Sequence, residues 1–188
     1  MPITLDDLRT DTTAQDLLAE HFDLGVFAQM RSIDGCTVEG CPMPEAFARE
    51  GAGGMFGLIY DGSVLYIDSE GKAGVVAASL VEFLELVVDH PYWQSILKFS
   101  DGGRLDEMRH AADRLELDLQ DEETEVDEAR DTLRAALGLG GGSDAVARLH
   151  AAVRAGNERI VVRAADGSAY GSLFGDFRVQ DNPFWRVG

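Results

Sequence analysis

The chain has 188 residues, 45% of them hydrophobic and 27% charged, a composition that suits one folded domain with a well-buried core and excludes global disorder. Its 34 acids against 16 bases give a formal charge of -18, which repels phosphate backbones and anionic lipid and attracts cationic partners. Nucleic acid and membrane surfaces are therefore excluded as partners; acidity that serves solubility alone is the competing reading to a charge-steered basic partner.

The opening MPITLDDLRTDTTAQDLL lacks the basic segment and apolar run of a secretory signal, and no apolar stretch approaches the ~18 residues of a spanning helix. The expectation is a cytoplasmic protein with both cysteines reduced. Asp11, Thr12 or Thr13 caps a helix running to about residue 22, with Leu17, Leu18 and Phe22 among its apolar positions. Residues 32–45, SIDGCTVEGCPMPE, combine Gly, Pro and short polar side chains and read as loop. Pro44 then opens a short helix through Ala46, Phe47 and Ala48, stopped by GAGG at 51–54.

MFGLIY, Asp61-Gly62 and SVLYIDS form a predicted antiparallel hairpin, because Asp-Gly between two β-prone runs is a strong turn signal. EGKAG at 70–74 makes a second turn, and Val75 and Val76 add a short strand. Ser79-Leu80-Val81-Glu82 matches a capping box ahead of a helix that His90 and Pro91 end. Leu105, Met108, Ala112 and Leu115 repeat at helical spacing, as do Val126, Ala129, Leu133 and Leu137. GLGGGSD connects to a helix capped by Ser143 and running to Gly156, after which IVVRA, Asp166-Gly167 and SAYGSLF predict a second hairpin. Hairpin strands set among helices predict an α+β fold with antiparallel pairing. The expected organisation is a single domain over 1–188, with residues 101–188 an acidic helical extension that ends in the second hairpin.

No catalytic motif emerges. Cys36 and Cys41 are spaced C-x4-C, but a closed zinc site needs four ligands and no second Cys/His pair stands at metal spacing, so two reduced loop thiols and no metal are expected. His21, His90, His110 and His150 are scattered, and no motif links any of them to a Ser, Cys or carboxylate. GLGGG follows a helix rather than a strand, and Gly71-Lys72 precedes Ala73 where a phosphate loop needs Ser or Thr, so no nucleotide cofactor is implied.

Two features speak to binding. Residues 113–131 carry ten acids and two arginines, a local charge of -8, readable as a solvated face or as a docking surface in which Asp121, Glu122, Glu123 and Glu125 meet a basic protein. PYW at 91–93 and NPFW at 182–185 place Tyr92, Trp93, Phe184 and Trp185 beside prolines, where core packing and contact with a partner are the two readings and Tyr92, Trp93 and Trp185 are the candidates.

From MPEAFAREGAGG through FGLIYDGSVLYIDSEGKAGVVAASLVEFLELVV, the chain resembles the SUKH superfamily of Smi/Knr-like proteins. The parallels are Met43-Pro44 ahead of a short aromatic helix, Gly53-Gly54 after it, the hairpin, and the helix with Phe83-Leu84; they cover residues 5 to 100. The resemblance implies an α+β interaction domain without enzymatic activity, of the bacterial immunity type that binds and neutralises toxin domains, often basic nucleases. A small-ligand or regulatory module without a toxin partner is the alternative, and a hydrolase with a site assembled only in space has no motif to support it.

Overall fold

The computed structural model describes residues 3–122, 124–140 and 144–185, with side chains described for the same residues except 120–122 and 124. The chain is α+β. Its elements are α1 (Leu5–Thr10), α2 (Thr12–His21), β1 (Gly25–Arg31), β2 (Cys36–Glu39), β3 (Ala46–Arg49), β4 (Met55–Leu58), β5 (Val64–Ile67), β6 (Ala73–Ala77), α3 (Leu80–Asp89), α4 (Trp93–Lys98), α5 (Leu105–Glu122), α6 (Thr124–Leu137), α7 (Ala145–Arg159) and β7 (Val161–Ala164). Two 3-10 turns, Val179–Asp181 and Pro183–Trp185, follow.

The predicted first hairpin forms with Met55 opposite Ile67 and Leu58 opposite Val64. Its turn is held by Asp61, whose Oδ1 accepts from the Ser63 amide at 3.0 Å and hydroxyl at 2.6 Å, while Gly62 takes φ +88°. Asp68 does the same work in the next turn, accepting from the amides of Glu70 and Lys72 at 2.9 and 2.7 Å. Five antiparallel strands result, in the order β1-β3-β4-β5-β6. Both faces of β5 are covered: Val64 and Tyr66 enter one core layer with Phe47, Phe56 and Phe83, and Leu65 and Ile67 enter a second with Phe27, Val75 and Val162. A strand buried on both faces reads as a continuous apolar run, which is why VLYI shows no polar alternation.

Four expectations are corrected. Ala46–Arg49 is a strand between β1 and β4, not a helix. Helix propensity is worth under ~1 kcal/mol per residue, whereas burying one phenylalanine contributes ~1.5–3 kcal/mol, and Phe47 lies wholly inside the sheet's core layer. Residues 32–45 contain β2, whose partner is β7, with Cys36 opposite Ala164 and Glu39 opposite Val161. The second hairpin closes only at the bridge Arg163–Ala169; beyond it the chain leaves to meet β6, the Gly171 amide donating to Gly71 O at 2.8 Å and Gly171 O accepting from Ala73 at 3.0 Å. Finally, α1 is a separate helix with its own cap at Thr4, and β1 is a strand with no counterpart in the sequence reading.

The helices predicted after Ser79, from Leu105 through Leu115 and from Val126 through Leu137 all form. Ser79 Oγ accepts from Glu82 N at 3.2 Å, and Glu82 reaches back one residue further than a capping box requires, to Ala78 N. Asp144 Oδ1, accepting from Ala147 at 2.8 Å, caps α7; the expected cap, Ser143, lies outside the described residues. The larger core layer takes side chains from Leu8 to Leu173, including Leu119, Val126, Leu133 and Val153 of α5, α6 and α7. Buried Arg130 ties three helices together: it donates to the carbonyls of Val88 and Asp89 at the end of α3 and to Glu116 on α5 at 2.8 and 2.9 Å. No helix among the described residues is long and apolar enough to cross a membrane.

Helix α7 approaches β6 so closely that a Cβ on Gly156 would lie 2.7 Å from Val75 Cβ. Alanine at 156 gains ~1 kcal/mol of helix propensity and incurs ~1–3 kcal/mol of overpacking against a β-branched side chain and strand backbone, so Gly156→Ala is expected to lower stability in urea unfolding, against its helix propensity. Ser79→Ala is expected to cost about 0.5–2 kcal/mol in the same measurement by removing the α3 cap.

Candidate functional site

The sequence-predicted binding residues separate into three environments. Trp93, on the first turn of α4, is 2% exposed and packs against Phe56 and Tyr66 with ring centroids 6.1 and 5.1 Å away, so it is core and not a contact for a partner. Tyr92, one residue earlier, is 43% exposed. Trp185 is 8% exposed, seated 4.9 Å from the Phe99 ring, and its Nε1 donates to Asp118 Oδ2 at 2.7 Å.

Trp185 is thus an anchor, and what it anchors is the chain's C-terminal stretch. That stretch runs along α5: the Val179 amide donates to Glu107 Oε2 at 3.2 Å, and Arg178 Nε lies 3.0 Å from Asp101 Oδ1. Asn182 Oδ1 then accepts from the Phe184 amide at 3.1 Å, a local Asx turn that leaves the Phe184 ring 92% exposed. Tyr92, Leu115, Asp118, Phe184 and Trp185 line one groove of about 420 Å³ between α4, α5 and the final 3-10 turn. The groove combines two presented aromatic rings with a carboxylate, the chemistry that receives a lysine or arginine side chain: the rings attract a cation over their faces, and the acid takes its hydrogen bonds.

The acidic segment supplies the field around it. Of its described carboxylates, Glu116 and Asp127 are bound to Arg130, Asp131 pairs with Arg134 at 3.5 Å, and Asp118 holds the indole. Asp113, Glu125 and Glu128 are exposed and make no ion pair among the described residues. The predicted docking side chains Asp121, Glu122 and Glu123 lie outside the described side chains. Phe184 and Asp118 are not among the sequence-derived candidates; the one local signal near Phe184 is Asn182-Pro183, which marks the turn whose Asn182 Oδ1 accepts from the Phe184 amide.

Cys36 and Cys41 are half-buried free thiols, Cys36 on a strand rather than a loop, and burial raises the pKa of both. Among the described residues no group of three or more His, Cys, Asp or Glu side chains is placed to hold a metal ion. His150 bonds Gly103 O at 2.9 Å, and its ring lies tilted against Phe174 with centroids 5.6 Å apart. His90, the C-cap of α3, has its pKa lowered, chiefly by burial and also by Arg130, against the opposing pull of Asp89, Glu116 and Asp144.

A depressed histidine pKa stabilises the fold above the unfolded value of about 6.5 and loses that contribution as pH falls through the folded value. Urea unfolding at about pH 7.5 and about pH 5.5 is therefore expected to show a loss of stability on acidification that is smaller in His90→Gln than in the parent chain.

Comparison with family models, with curated proteins and with solved structures returned no match.

Proposed function

We propose that the chain is a non-enzymatic protein-binding module of the immunity type its SUKH resemblance implies, acting in the cytoplasm on a basic protein domain. A nuclease-type toxin domain, basic where it meets nucleic acid, is the partner class. The observation that carries this reading is the Phe184 ring, held 92% exposed beside Tyr92 and Asp118 by its own turn and by the Trp185 anchor. Burying a phenylalanine contributes ~1.5–3 kcal/mol, a gain the free chain forgoes and a partner would recover. Cationic side chains fit the groove, their alkyl stems along the rings and their heads at Asp118. Around it, Asp113, Glu125 and Glu128, joined on charge alone by Asp121, Glu122 and Glu123, attract a basic surface over the ~8–10 Å allowed by physiological salt.

The two contributions separate kinetically. With the partner captured from source cells on the immobilised full chain, identified and purified, stopped-flow binding is expected to show at least ~10-fold weaker affinity for Tyr92→Ala/Phe184→Ala, through faster dissociation. Replacing Asp121, Glu122, Glu123 and Glu125 by their amides is expected to slow association and flatten its salt dependence while dissociation stays nearly unchanged. An association rate independent of salt and of the four substitutions, with an affinity untouched by the aromatic pair, contradicts the proposal.

A further inference from the structure

The chain contains two lysines, Lys72 and Lys98, and both line the same cleft. It is a space of about 750 Å³ between the β5–β6 turn and α4, within the usual size of small-molecule sites. Residues 171–177 span its edge and are fixed at both ends. At one, Gly171 is bonded to both sides of Lys72, through Gly71 O and Ala73 N. At the other, the Gly175 amide donates to Leu97 O at 2.9 Å, and its Cα packs so tightly that a Cβ would sit 2.4 Å from Lys98 O. The cleft is therefore built into the fold rather than formed on binding.

Its charges are held apart. Every ion pair among the described residues is made by an arginine, yet Lys72 and Lys98 share their cleft with Asp68, Glu70 and Asp176 and close to ion-pair distance with none of them. Asp68 spends one oxygen on the turn amides of Glu70 and Lys72. The apolar part of the lining comes from Leu97, Leu173, Phe174 and Phe177, with the buried Tyr66 behind; the half-exposed Phe177 ring centroid lies 5.7 Å from Lys98 Nζ. Ser172 Oγ already accepts from Asn157 Nδ2 at 3.0 Å and from the Phe174 amide at 3.2 Å, leaving its own proton to donate.

Two ammonium groups and three carboxylates, unpaired across one cleft beside an aromatic ring, match a ligand carrying both charges. A simple anion meets three carboxylates in a chain of net charge -18, and a simple cation meets both lysines. We propose that this cleft binds a small zwitterion with an apolar group, of the class of a free aromatic amino acid. The carboxylate is received by Lys72 and Lys98 with the Ser172 hydroxyl, the ammonium by Glu70 and Asp176, and the side chain by Leu97 and Phe177. This site is distinct from the Tyr92–Phe184 groove and does not depend on a protein partner.

The test uses the full-length chain and L-phenylalanine as probe, followed by amide chemical shifts, with 3-phenylpropionate lacking the ammonium and phenethylamine lacking the carboxylate. L-Phenylalanine is expected to shift amides within 66–72, 94–98 and 171–177. Its affinity is expected to exceed that of either analogue and to fall about 10-fold or more in Lys72→Gln/Lys98→Gln, the loss of one charge-assisted contact or more. Asp176→Asn is expected to weaken L-phenylalanine and leave 3-phenylpropionate unchanged or tighter. Shifts absent from the cleft, equal affinity in the double lysine variant, or either analogue binding as tightly as the amino acid would overturn the proposal.

Discussion

The contact between Gly156 and Val75 is the constraint on which the rest of the structure depends. Only a residue without a Cβ lets α7 lie this close to β6, and it is α7 that turns the chain back toward the sheet. From there β7 pairs with β2, Gly171 bridges the start of β6, Leu173 packs over Gly74, and Gly175 seats on the end of α4. The same stretch continues along α5 to Trp185. Both candidate sites are walls that this returning segment builds against α4, and Ser95 on α4 lines the cleft and the groove alike.

Charge is partitioned between interior and surface by the chemistry of the cations. Arginine carries a planar fork of donors, which suits it to several acceptors at once; Arg130 uses it fully between α3, α5 and α6, while Arg134 on Asp89 and Arg148 on Glu85 make the other partly buried pairs. These pairs hold elements in register more than they add net stability, since desolvation offsets much of their attraction. The formal charge of -8 over residues 113–131 already counts Arg130, and Arg134, 3.5 Å from Asp131, offsets one acid more. Lysine is a compact ammonium on a flexible stem, and on neither Lys72 nor Lys98 does a carboxylate among the described residues close to ion-pair distance.

Local chemistry was legible and long-range pairing was not. Asp61-Gly62 and Ser79 announce themselves because a side chain bonds a backbone group two or three residues away, and those interactions survive in any fold that contains them. Ala46-Phe47-Ala48 misled because its helix propensity is a small local term, overridden by burial between β1 and β4. The polar segment CTVE became a strand because β7, more than a hundred residues away, supplies its partner. Of the candidate site, Tyr92 and Trp185 were found from composition beside proline. Trp93 could not be separated from Tyr92, since one residue's rotation on the entry to α4 decides which ring enters the core. The two lysines could be counted from the sequence, but their meeting rests on a turn and a helix end brought together by packing.

Residues 171–185 form a fixed wall of the molecule rather than a loose tail, a property read out by native-state hydrogen exchange. The amides of Gly171 and Gly175, donated to Gly71 O and Leu97 O, are expected to exchange nearly as slowly as those of β5 and β6. Exchange of both at the rate of unstructured chain, with the sheet still protected, would contradict it.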